Sequence, residues 1–171
     1  MPNAPTAVFS DDLVERAKAL LARARAAELR IATAESCTGG LIAALLTEVP
    51  GSSDVFDRGF VTYSNEAKSE SLDVPPELIE QHGAVSREVA RAMAEGAIAH
   101  SGADISVAVS GIAGPDGGSD QKPVGLVHIA VHRKGRLTRH HECRFGDIGR
   151  AQIRLATVSE ALSMLQKMIA G

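Results

Sequence analysis

The chain has 171 residues, with 18 Lys and Arg against 21 Asp and Glu for a net charge of −3, 44% apolar, 23% charged and 3% aromatic residues. That length and balance suit one globular domain with a sizeable core, and no apolar run nears the ~18 residues of a membrane span. Acidic charge and scarce aromatics argue against a nucleic-acid partner, which wants a basic footprint or stacking platforms.

In chain order, the first ten residues, "MPNAPTAVFS", lack the charged start and long apolar stretch of a secretion signal and are expected to form a mobile tail before one domain over residues 11–171. A cytoplasmic location follows by default. Ser10 followed by Asp11 and Asp12 opens a helix, because a hydroxyl caps the first turn and acids favour its positive end. Leu13, Ala17, Leu20, Leu21 and Ala24 then recur at helical spacing. Residues 30–34, "RIATA", form a short buried strand, and "LIAALLTEV" after Gly40 forms a second helix that stops near Pro50. Residues 58–64, "RGFVTYS", read as a strand, and Ser64 caps a short helix over "NEAKSESL". Pro76 sits at a first helical position with Gly83 just past the end. Ser86 opens a longer helix closed by Gly102. Residues 104–110, "DISVAVS", are a strand dense in Ile and Val. A glycine-rich segment follows, then a hairpin of "LVHIAVH" and "LTRHHECRF" around Lys134 and Gly135. Residues 151–169 carry Ile153, Thr157, Ala161, Met164, Leu165 and Met168 on one helical stripe.

Early alternation of strands and helices with a late hairpin predicts an α/β fold, a three-layer α/β/α sandwich on a mixed sheet. The basic run "HRKGRLTRHH", residues 132–141, reads as an exposed edge hairpin whose charges resist aggregation. Cys37 and Cys143 make neither a CxxC pair nor a disulfide framework, which suits a reducing compartment. No metal site is expected: four residues of strand separate His128 from His132 by ~13 Å, and His140 and His141 face opposite ways.

Ligands of open α/β sheets sit beyond the carboxyl ends of strands. Three polar segments occupy such places. In "TAESCTGG", residues 33–40, the turn joins a strand to a helix, and Gly39 and Gly40 permit tight geometry beside amides that would face an anion. The plainer reading is that Ser36 or Thr38 only caps the helix. In "TYSNEAK", Tyr63 and Lys68 flank the next turn; most lysines are surface groups. "SGIAGPDGG", residues 110–118, either wraps a ligand or is a long connection, and it is neither a P-loop nor GxGxxG.

Together "TAESCTGG", "GFVTYSNEAK" and "VSGIAGPDGG…KPVGLVHIA" resemble the C-terminal domain of the competence/damage-inducible protein CinA, a family that includes stand-alone nicotinamide-nucleotide amidohydrolases. The likeness runs from about Leu13 to Leu165; larger members carry an extra N-terminal domain for which this chain is too short. The resemblance implies a metal-free, cofactor-free deamidation of nicotinamide mononucleotide to nicotinic acid mononucleotide and ammonia, in pyridine nucleotide recycling. It implies Ser36 as nucleophile, Lys68 as its assistant, and a homo-oligomer. Tyr63 is the further catalytic candidate, as a proton relay or to orient the lysine. Substrate contacts are expected from Glu35, Cys37, Thr38, Gly39, Gly40, Gly111, Ile112, Ala113 and Gly114.

The residues themselves fit amide hydrolysis, which needs a nucleophile, a base and oxyanion donors. Amides near Cys37 and Thr38 supply the donors. No histidine lies in the three motifs, which disfavours a Ser-His-Asp triad. A lysine base must be poised below its usual ~10.4 by burial or a neighbouring cation, so Lys68 is expected to be buried and to point at Ser36. Cys37 is the rival nucleophile, or simply a small buried residue. Glu35 binds the ribose or else satisfies turn backbone. "FGDIGRAQIR" differs from the family's F-x-G-D-R spacing; Arg150, or instead Arg154, is the phosphate candidate, and Arg154 alternatively a helix-surface charge. A non-catalytic nucleotide-binding module, or a competence- or damage-related interaction domain, is the alternative function.

Overall fold

The computed structural model describes residues 7–171. Its elements are α1 (Asp11–Ala26), β1 (Ile31–Glu35), α2 (Leu41–Glu48), β2 (Phe56–Val61), α3 (Asn65–Leu72), α4 (Pro76–His82), α5 (Arg87–Ala99), β3 (Ile105–Gly111), β4 (Leu126–Arg133), β5 (Arg139–Arg144) and α6 (Arg150–Ala170). The five strands run in the order β2-β1-β3-β4-β5. The β1 strand pairs in parallel with β2 and β3, whereas β4 is antiparallel to both β3 and β5, so the sheet is mixed. One core cluster lies between α1, α2, α6 and the face carrying Ile31, Val107, Ile129 and Val131. The other lies under α3, α4 and α5. The result is the expected α/β/α sandwich.

The two faces differ in side-chain size for a reason. Toward α5 the strands present Ala32, Ala34, Ala108 and Ala130, all buried. Small residues there let α5 come close, with its own Ala90, Ala94 and Ala97 fully buried against them. At Gly96 the approach is closer still: a Cβ would overlap the carbonyl of Leu72 at the end of α3. Gly96→Ala therefore gains ~1 kcal/mol of helix propensity but meets an overlap that main chain cannot rotate away from. A net loss of about 2 kcal/mol is expected in urea unfolding.

Helix starts were legible. Ser10, Ser64 and Ser86 each accept a hydrogen bond from the amide three residues on. Differences are local. The strand expected over residues 58–64 is Phe56–Val61, because Ser64 is already committed to capping α3 and β2 is an edge strand with half-exposed side chains. The α5 helix ends at Ala99 rather than at Gly102, whose amide instead donates to Asp57 at 3.2 Å. The β5 strand is the other sheet edge, as its run of basic residues suggested. Of the expected tail, residues 1–6 lie outside the described residues. Phe9, by contrast, is 5% exposed and belongs to the core beside α1.

The strand order switches at β1: the chain leads from β1 through α2 to β2 on one side, then crosses back through α3, α4 and α5 to β3 on the other. The carboxyl ends of β1 and β3 therefore open a crevice at the point where the strand order switches. A bond from the Ser36 amide to the Val109 carbonyl, 3.1 Å, ties the two ends together.

Candidate active site

Side chains alternate along a strand. Glu35, the last residue of β1, therefore turns toward α2, and Ser36, next in line, toward α3. Glu35 is fully buried; its carboxylate accepts from the Thr38 hydroxyl at 2.6 Å and from the Ile42 and Ala43 amides at 2.8 and 3.0 Å. Leu41 and Ala44 donate to the Thr38 and Gly40 carbonyls. The amides of the first turn of α2, Leu41, Ile42 and Ala43, are thus met from inside the protein rather than left for an external anion.

The Glu35 and Thr38 side chains thus bind each other and the helix rather than face the crevice, which leaves Thr38 only its main chain for the expected substrate contact. Gly39 and Gly40 also lie outside the crevice wall. Their positive φ angles, 56° and 100°, make the turn that carries Ser36 into α2. Glu35→Gln would set an amide hydrogen against a helix donor. A stability loss of about 1–3 kcal/mol is expected, together with faster amide exchange at Ile42 and Ala43.

On the other face, Ser36 is 9% exposed and Lys68 1%. Lys68 lies one turn before Leu72 on the buried side of α3. Its Nζ is 3.1 Å from Ser36 Oγ and donates to the Thr62 carbonyl at 2.8 Å. Among the described residues no carboxylate pairs with it. Burial holds the amine below its ordinary 10.5, with the neighbouring Cys37 acting weakly the other way. The amide groups of Cys37 and Thr38 meet no main-chain acceptor among the described residues, and the Cys37 amide reaches its own thiol.

Cys37 lines the same crevice, 6% exposed, but burial pushes its thiol up to about 11 and the Glu35 charge adds to that. A thiol held protonated is a poor nucleophile near neutral pH. Tyr63 is 63% exposed and its hydroxyl accepts from Arg150 Nη2 at 3.1 Å. The lysine is oriented by the Thr62 carbonyl instead, so Tyr63 sits on the crevice wall rather than behind the amine. Arg150, first residue of α6, also donates from Nη1 to the Gly114 carbonyl at 2.8 Å and thereby links the tyrosine to the glycine loop.

The crevice measures about 290 Å³ and its wall includes Gly111, Ile112, Ala113 and Gly114. Ile112 is bonded through both main-chain groups to the start of β4, so the glycine loop is a fixed wall and not a slack connection. Sequence reasoning missed Ser110, Asn65 and Asp116, which also line it. All three lie inside the motifs quoted above, and their places in those motifs were the available signal. Elsewhere, His128 and His140 stack across β4 and β5 with ring nitrogens 2.8 Å apart. Among the described residues no three His, Cys, Asp or Glu side chains converge as metal ligands, and no helix is long and apolar enough to cross a membrane.

Comparison with known proteins agrees with this architecture. The crystal structure of the competence/damage inducible protein CihA from Agrobacterium tumefaciens superposes with a TM-score of 0.93 at 52% identity, over 97% of this chain and 100% of that one. A CinA superfamily protein from Escherichia coli gives 0.87 at 35% identity, over 95% and 94%. A CinA-like protein from Geobacter sp. strain M21 is 49% identical across 95% of this chain and 39% of its own length. A putative competence-damage inducible protein from Caldicellulosiruptor bescii is 52% identical across 83% and 34%. The chain thus spans little more than a third of such relatives. The CinA C-terminal domain family model matches residues 14–169, nearly the whole described fold including the crevice, and the chain belongs to that family.

Proposed function

We propose that this chain hydrolyses the carboxamide of nicotinamide mononucleotide, giving nicotinic acid mononucleotide and ammonia in pyridine nucleotide recycling. The observation that carries the reading is the Lys68 amine, buried with no counter-ion among the described residues and 3.1 Å from the Ser36 hydroxyl. Holding a lysine in that state costs stability, and activating a hydroxyl is the use such an amine has. A competence- or damage-linked binding role, which the relatives' names favour, has no need of it.

In this mechanism neutral Lys68 takes the hydroxyl proton as Ser36 Oγ attacks the carboxamide carbon. The Cys37 and Thr38 amides receive the oxyanion. On collapse the C–N bond breaks and the Lys68 ammonium returns its proton to the departing nitrogen, which leaves as ammonia. Water then attacks the acyl-serine with Lys68 again as base, and the acid product departs. Arg150, exposed at the crevice wall and already fixed by Tyr63 and Gly114, holds the substrate phosphate.

The test is incubation of the purified protein with nicotinamide mononucleotide, followed by assay of ammonia and the acid nucleotide. Formation of both in equal amounts is expected. A wild-type protein that binds the nucleotide in calorimetry without turnover would establish a binding module instead. Sedimentation of the same sample reads the expected homo-oligomer.

A further inference from the structure

Arg154 lies far along the chain, 116 residues beyond Thr38, yet its guanidinium reaches the Ser36 turn. Nε donates to the Cys37 carbonyl and Nη2 to the Thr38 carbonyl, each at 3.1 Å. A Cβ on Gly39 would stand 3.2 Å from Nη2, so the arginine packs against the turn as well as bonding to it. Among the described residues Arg154 is in no ion pair. It is not the free surface charge that its place in the sequence offered: Nε and Nη2 of its fork are committed to main-chain carbonyls.

The consequence follows from peptide geometry. A trans peptide unit is planar, with its C=O and N–H pointing opposite ways. Holding the Cys37 carbonyl aims the Thr38 N–H away from α6. Holding the Thr38 carbonyl aims the Gly39 N–H, which donates to the Ser36 carbonyl at 3.0 Å. That bond fixes the peptide unit whose other end is the Cys37 N–H. One guanidinium thereby sets three successive peptide planes, and the two N–H groups that meet no main-chain acceptor among the described residues, those of Cys37 and Thr38, are the donors assigned to the oxyanion. A cation on the carbonyl side also polarises each peptide toward stronger donation.

We infer that Arg154 is a positioning residue that preorganises the oxyanion donors of the Ser36 turn, an inference that rests on the serine-nucleophile reading above. Its test uses a fluorophosphonate, which does not depend on the substrate. In that reaction the Ser36 oxygen bonds to phosphorus, the P–F bond breaks, fluoride leaves, and the hydroxyl proton passes to Lys68. The phosphoryl oxygen occupies the oxyanion position.

Arg154→Met should be labelled about 10²-fold more slowly than wild type. Arg154→Lys should fall between, since an ammonium cannot span both carbonyls as the fork does. Millimolar guanidinium should partly restore labelling of Arg154→Ala, and the pH midpoint of labelling, set by Lys68, should stay in place. With nicotinamide mononucleotide, kcat should fall while KM holds. Labelling of Arg154→Met at the wild-type rate overturns the inference. So does slowing with a moved pH midpoint and no response to guanidinium, which is the mark of a merely loosened fold. A wild type labelled at Ser36 but inactive on the nucleotide overturns only the substrate assignment, whereas a wild type unlabelled at Ser36 overturns both readings.

Discussion

Ser36→Ala should reduce nicotinamide mononucleotide hydrolysis by a factor on the order of 10⁴–10⁶, while thermal unfolding and nucleotide binding change little. Among the described residues, the hydroxyl is the crevice group that combines a lone pair with a base at hydrogen-bond distance. Its removal leaves a methyl where the nucleophile stood and no substitute nearby, because burial pushes the adjacent Cys37 thiol up to about 11. The loss of fold should be slight, since the Ser36 main-chain bonds to Val109 and Gly39 do not involve the side chain. Mass spectrometry sharpens the measurement: an acyl adduct trapped on rapid acid quench should map to Ser36 in wild type and vanish in the variant. Turnover of Ser36→Ala at the wild-type rate would remove the nucleophile from the proposal.

Lys68→Met should do two opposite things. Activity should fall about 10²–10⁴-fold, the usual worth of a general base. Stability should rise by about 0.5–2 kcal/mol, because an apolar chain of similar length replaces an amine buried with no counter-ion among the described residues. The folded pKa of Lys68 is lowered, so between that value and 10.5 the unfolded chain binds more protons than the folded one. Wild-type stability therefore rises with pH across this window. The stability advantage of Lys68→Met should be full below the lowered pKa and shrink as pH climbs through it toward 10.5. Wild-type kcat/KM should rise with pH along a one-proton limb whose midpoint lies below 10.5, and the residual activity of the variant should lack that limb. A variant both active and less stable would mean that Lys68 is a packing residue held by its bonds to Thr62 and Ser36.

Helix starts and the sandwich architecture were readable because they rest on local chemistry: serine hydroxyls capping three residues ahead, and apolar periods of strand and helix. Glu35 shows where that reading fails. A carboxylate beside two glycines looks available to a ligand, yet the reversal into α2 brings the helix's own amides to it first. Tyr63 and Lys68 show the converse. They are five positions apart on one turn, but one faces solvent and the other faces the sheet, a division that only the docking of α3 makes. Arg154 could not have been placed at all, since its partners lie on the opposite side of the sequence.

The sequence by itself determined the element order, the layer architecture and the three strand-end segments, since periodicity, capping residues and motif order are properties of neighbours along a chain. It also supplied a hydroxyl and an amine but not their meeting. Only the tertiary structure decided that the α2 amides go to Glu35, that Lys68 loses its water against Ser36, and that a guanidinium on the last helix fixes the turn. These follow from which surfaces pack together, because burial and bonding between distant residues are set by the assembled sheet and helices, not by any local stretch.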